Sequence, residues 1–68
     1  MTVTVNGTPR ELATGATLAE VAALVGVATG EAGVAAALDG AVVPRARWAR
    51  TAVADGAVVE IVRAAAGG

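Results

Sequence analysis

Residues 2–5 alternate polar and apolar, Thr-Val-Thr-Val, which puts Val3 and Val5 on one face of a half-buried strand. Asn6-Gly7 follows. A two-residue type I′ turn needs φ > 0 at both central positions, and this pair supplies it, so residues 8–12 are predicted to return as the second strand of a hairpin. Pro9 removes one ladder donor and assigns that return strand to a sheet edge. Gly15 breaks the pattern, and from Thr17 the period changes. Leu18, Val21, Ala22 and Val25 recur at i, i+3, i+4 and i+7, with Leu24 beside them, as the single apolar stripe of a helix. Thr17 and Glu20 have capping-box spacing: the Thr17 hydroxyl accepts from the Glu20 amide while the Glu20 carboxylate reaches back to the Thr17 amide. Gly26 is the predicted stop. Residues 27–33, with two glycines, read as a loop with room for one extra helical turn.

Residues 34–38 are short and apolar, and Asp39-Gly40 is a second hairpin signal leading into Val42-Val43. Pro44 closes that strand or places it at an edge. Residues 45–50 hold Trp48 as their only large apolar side chain, predicting one short turn that plugs Trp48 into the margin of the core. Asp55-Gly56 marks a third turn. Residues 58–62 form the last strand, with Val59 and Ile61 on one face and Glu60 on the other. A hairpin, one crossing helix and further strands make an α+β chain of the β-grasp, ubiquitin-like architecture: a mixed sheet of four to five strands packed on one main helix. One helix covers one face only, so the other stays open to solvent. The last strand is expected centrally, beside the first, sending the remaining residues out of the sheet. The expected core is Val3, Val5, Leu12, Leu18, Val21, Val25, Leu38, Val59 and Ile61. Residues 1–62 form the domain on this reading. Residues 63–68 form a flexible C-terminal tail, because they offer no large apolar group to set against a backbone ordering cost of roughly 1–2 kcal/mol per residue.

Composition sharpens this picture by what it lacks. Sixty-eight residues make one small domain, and a chain of that size buries only about 60 % of the surface its unfolded state exposes. Without cysteine there is neither a disulfide nor a thiolate metal site, and without histidine a transition-metal site would rest on carboxylates alone, so no metal is expected. Lysine and tyrosine are absent as well. The residue types that supply most general bases and activated nucleophiles are therefore missing, which argues against an enzyme. A chain without lysine also cannot accept an isopeptide bond on a side-chain amine. The net charge is −1 and the five arginines are dispersed, unlike the basic face that nucleic acid requires. Apolar stretches such as residues 34–38 fall far short of the ~20 residues of a membrane span. Residues 1–6 have neither a basic region nor a signal-type apolar run, so a cytoplasmic location is expected.

The chemistry is concentrated at the end. Gly67-Gly68 are the last two residues, preceded by the small-sided Arg63-Ala64-Ala65-Ala66. Backbone without Cβ atoms threads a narrow channel and reaches φ/ψ regions closed to other residues. That is what an ATP-driven activating enzyme requires if a C-terminal carboxylate is itself the reacting group. Asp39 and Asp55 precede glycines and read as turn residues, and Glu20 as a cap.

Taken together, Val5-Asn6-Gly7-Thr8-Pro9-Arg10-Glu11, the Thr17-Leu18 helix start, Val42-Val43-Pro44-Arg45-Ala46-Arg47-Trp48, Asp55-Gly56 and terminal Ala66-Gly67-Gly68 resemble the sulfur carrier proteins of thiamine thiazole biosynthesis, the ThiS family. The resemblance spans essentially the whole chain, and Val-Pro-Arg-x-x-Trp is its most discriminating part. It implies a carrier with no bound cofactor. A ThiF-like adenylyltransferase, related to ubiquitin-activating enzymes, would use Mg-ATP to convert the Gly68 carboxylate into an acyl-adenylate. Sulfur from a cysteine desulfurase route would then leave a Gly68 thiocarboxylate, which a ThiG-like thiazole synthase consumes. Gly67 and Ala66 would be the recognised tail. Val58 and Val62 on the open face, with Arg63, Pro44 and Arg45, are candidate partner contacts. Two alternatives remain open: a sulfur donor for molybdopterin or cysteine synthesis, and a non-covalent ubiquitin-like interaction module.

Overall fold

The Asn6-Gly7 turn does form, with φ of 49° and 81°, between β1 (Thr2–Val5) and β2 (Thr8–Glu11). The remaining elements of the computed structural model are α1 (Leu18–Leu24), β3 (Val34–Leu38), β4 (Ala41–Val43), a 3-10 helix (Arg45–Arg50) and β5 (Val58–Arg63). The structure describes residues 1–64. The expectations for Ala66, Gly67 and Gly68 therefore lie outside the described residues.

The five strands form one sheet in the order β2-β1-β5-β3-β4. β5 and β1 run parallel, pairing Thr4 with Val58 and Val5 with Val59, while every other neighbouring pair is antiparallel. The last strand is thus central, and β2 with Pro9 lies at an edge, as the chain's pattern predicts. Val3, Val5, Val59 and Ile61 point to the covered face, where Leu18, Val21 and Ala22 of α1 meet them. Trp48 and Val53 complete the cover. The segment after the 3-10 helix is tied to the start of α1: the Leu18 amide donates to the Thr51 carbonyl at 2.8 Å and the Val53 amide to the Ala16 carbonyl at 2.9 Å.

The helix starts as expected, with the Glu20 amide donating to the Thr17 hydroxyl at 3.3 Å. The reciprocal half differs. The Glu20 carboxylate takes the Thr17 hydroxyl at 3.5 Å, not the Thr17 amide. At the other end Gly26, with φ of 89°, closes a Schellman turn: its amide donates to Ala23 and that of Val27 to Ala22. This reversal corrects one core expectation. Val25 becomes the cap and is only half-buried, while Val27 comes back across the turn and is buried in its place. Leu12 and Leu38 are likewise half-buried. Leu12 follows the last residue of an edge strand, and Leu38 directly precedes the Asp39-Gly40 turn, so neither has neighbours all round. Trp48 is more deeply placed than expected, at 3 % exposure. Its indole N–H donates to the Val43 carbonyl at 2.9 Å, which satisfies the one polar atom it carries inward.

The turn residues have a second task. The Asn6 side chain bonds both ways to Ile61 of β5, donating to its carbonyl at 3.1 Å and accepting from its amide at 2.8 Å. It stands in for a further residue of β1 and extends the parallel pairing by one rung. Asp39 accepts from the Val58 amide at 2.8 Å and Asp55 from the Thr2 amide at 2.9 Å. Asn6→Ala loses two hydrogen bonds to the central strand and puts a side chain that disfavours it at positive φ. It is expected to lower stability by about 1–3 kcal/mol, read as a shift of the denaturation midpoint. Asn6→Asp keeps the acceptor alone and is expected to fall between.

Candidate functional site

β5 carries the chain from the middle of the sheet to Arg63 and Ala64, where the described residues end. Composition places Arg63 in the tail, but the structure places it in the strand. It pairs with Val34 across the sheet, and the Ala64 amide donates to the Gly33 carbonyl at 2.7 Å. The Arg63 side chain is also held. Its Nε donates to Glu31 Oε2 at 2.7 Å and its Nη2 to the Gly26 carbonyl at 3.0 Å. Glu31 Oε1 accepts from the Ala28 amide at 3.0 Å, so the loop between α1 and β3 folds around this ion pair.

Arg45 meets the same loop from the other side. Its Nη1 donates to the Glu31 carbonyl at 2.6 Å while its guanidinium lies 4.4 Å from the centroid of the Trp48 ring. Pro44 is the residue from which the 3-10 helix starts, its ring presetting the φ of −57° found there. The Val-Pro-Arg-x-x-Trp segment is therefore a local lock: Pro44 starts the turn, Trp48 fills the core and Arg45 bridges to the loop beside β5.

Val58 and Val62 project from the other face of the central strand, together with Glu60. Val62 is 59 % exposed, and Val42, which the sequence reading did not single out, is 75 % exposed. The register aligns Val62 with Ala35, and Ala37 with both Glu60 and Val42. Ala35 and Ala37 thus leave a shallow apolar hollow between Val42 and Val62. Exposed apolar groups clustered in this way make this face the candidate interaction surface. The β3 register identifies Val42, since it pairs with the same alanine that faces Glu60. Pro44 and Arg45 are not gathered into this hollow.

The Arg63 hydrogen bond, aided by the Ala28 amide, holds the Glu31 carboxyl below its ordinary value of 4.5. A carboxyl depressed in the folded state stabilises the fold fully above its unfolded value, and that contribution is lost as pH falls through the folded one. The stability difference between wild type and Glu31→Gln is accordingly expected to be constant at neutral pH and to vanish on acidification from about pH 4.5 downward. Denaturant titrations of both proteins across that range measure it.

A five-stranded mixed sheet with a central parallel pair, one helix across one face and the chain leaving from the central strand defines a ubiquitin-like β-grasp protein. The profile of the ThiS family matches residues 3–68, and the chain belongs to that family, whose members are small sulfur carriers and not catalytic enzymes. It is similar to the crystal structure of a thiamine biosynthesis protein (ThiS) from Geobacter metallireducens, with 34 % identity over all of both chains and a TM-score of 0.79. It is also similar to the NMR solution structure of a thiamine biosynthesis protein from Geobacter metallireducens, with 34 % identity over all of this chain and 88 % of that one, and a TM-score of 0.78. Comparison with curated proteins finds no match. Among the described residues no helix is long and apolar enough to cross a membrane.

Proposed function

We propose that this chain is a sulfur carrier of thiamine synthesis in which Gly68 is the reacting residue. The Gly68 carboxylate attacks the α-phosphorus of ATP bound by an adenylyltransferase, pyrophosphate leaves, and an acyl-adenylate results. The terminal sulfur of a persulfide supplied by a cysteine desulfurase route displaces AMP to give an acyl disulfide. A thiol reductant then cleaves its S–S bond to leave a thiocarboxylate, which donates its sulfur to thiazole synthase. The carrier needs no base of its own for these steps. A carboxylate is a poor electrophile, adenylation supplies a good leaving group, and a thiocarboxylate is a soft nucleophile at neutral pH.

The observation that supports this reading most is the membership of the ThiS family over residues 3–68, a match that includes Gly67-Gly68. The course of β5 agrees with it: the strand passes the exposed Val58 and Val62 and ends beside them at Arg63. A partner gripping the hollow beside Val42 and Val62 would have residues 64–68 within reach. Small side chains at residues 64–66 and none at 67–68 suit an extended passage into a narrow channel. On this reading the arm begins past Arg63, the last residue of β5.

The test is ATP–pyrophosphate exchange with the adenylyltransferase of thiamine synthesis from the same organism. Exchange that requires this chain is expected. Restoration of growth to a thiamine auxotroph lacking its own carrier, without rescue of a molybdopterin-deficient strain, assigns the pathway. The opposite pattern of rescue would move the chain to molybdopterin synthesis.

A further inference from the structure

We infer that Glu31 is a positioning residue for the reacting tail: its carboxylate clamps Arg63 to the loop between α1 and β3 and so fixes where the chain leaves the sheet. This rests on the reading of Gly68 as the reacting end. Glu31 lies 32 residues from Arg63 in sequence, and its two carboxylate oxygens are divided between the Ala28 amide at 3.0 Å and Arg63 Nε at 2.7 Å. Arg63 Nη2 continues to the Gly26 carbonyl at 3.0 Å. The backbone of Glu31 is itself held, because its carbonyl accepts from Arg45, which rests on Trp48. Buried Trp48 in the core is thus connected through Arg45 and Glu31 to the last residue of β5.

Ala64 has a side chain too small to anchor, and its amide bond to Gly33 is the next restraint. A strand end fixed in direction enters a partner channel with less ordering left to be done on binding. Loss of the clamp is therefore expected to weaken productive encounter and to leave the chemical step, set by the partner around Gly68, unchanged. The competing role for Arg63 is direct contact with an acidic partner surface. On that role Glu31 would be a competitor, and removing it would tighten binding.

The experiment is pyrophosphate exchange over a range of carrier concentrations for wild type, Glu31→Gln, Arg63→Gln and the double variant. Amide hydrogen exchange at Ala64 is followed in the free proteins. Each single variant is expected to raise the half-saturating concentration about two- to fivefold, the range exposed ion pairs span, with the rate at saturation unchanged. The double variant should be no worse than the singles, since both remove one clamp. Ala64 exchange should quicken in all three variants while the amides of β1 keep their protection. An unchanged or lowered half-saturating concentration for Glu31→Gln, or effects of the two substitutions that simply add, would overturn the inference and leave the carrier reading standing. Absence of exchange with the wild-type chain would overturn both.

Discussion

Leu18→Ala is expected to lower the denaturation midpoint sharply and to threaten the folded state. Leu18 is fully buried, at the first turn of α1, among the largest side chains enclosed between helix and sheet. Truncating a buried leucine costs about 2.7–5 kcal/mol, the lost transfer energy plus the cavity left behind. A chain of 68 residues has a total stability on the order of 3–10 kcal/mol at typical values per residue. The substitution therefore removes from about a quarter of that stability to all of it. Ile61→Ala attacks the same core from the central strand and is expected to cost a similar amount, about 2–5 kcal/mol. Chemical denaturation monitored by Trp48 reports both, because that side chain is buried in the same cluster. An unchanged midpoint for both variants would contradict the packing described.

Most of this architecture is legible in the sequence because its punctuation is local. Asn6-Gly7 and Asp39-Gly40 each specify positive φ at two successive residues, and both pairs adopt it. Thr17 and Gly26 bracket the helix for equally local reasons of capping. What stays hidden depends on contacts between distant residues. Ala16, Ala36 and Ala57 are buried, yet alanine is equally at home on a surface, and in a chain so rich in it no periodicity separates the two. Val27 returns to the core only because Gly26 reverses the chain, which shifts burial away from Val25. The side-chain rung that Asn6 makes with Ile61 spans 55 residues and leaves no trace in local spacing.

The candidate site divides in the same manner. Gly67-Gly68 is visible at once, as are Val58 and Val62 from the alternation of the last strand. The Arg63–Glu31 clamp is invisible in sequence, because a lone glutamate in a glycine-containing loop reads as solvated charge. The roles of Arg45 and Trp48 are half visible. The motif is conspicuous, but only the fold shows that Arg45 spans the indole ring and the Glu31 carbonyl.

If Gly68 is the reacting residue, its deletion is expected to have the opposite profile from the core substitutions, with function lost and the fold kept. Removing one extended residue withdraws the carboxylate by up to ~3.6 Å. Reacting atoms need an approach of about 3–3.5 Å, so the shortened chain cannot present its carboxylate to ATP from the same docked position. Gly68→Val retains the length but adds a β-branched side chain, which the proposed narrow partner channel would exclude. Both variants are expected to denature at the wild-type midpoint, because the elements and core among the described residues are built from residues 1–63. Both are expected to reduce carrier-dependent pyrophosphate exchange to background. Exchange at the wild-type rate by the deleted chain would contradict the assignment of Gly68.

The central claim is that the last carboxylate of the chain takes up sulfur, and intact-mass spectrometry tests it most directly. The chain is produced together with the adenylyltransferase and a cysteine desulfurase, purified under non-reducing conditions and weighed whole. The account predicts a second species heavier by the exchange of one oxygen for one sulfur, absent from the Gly68-deleted chain and localised to the C-terminal fragment on digestion. Recovery of the chain at its unmodified mass alone, with the partner enzyme active on ATP, would contradict it.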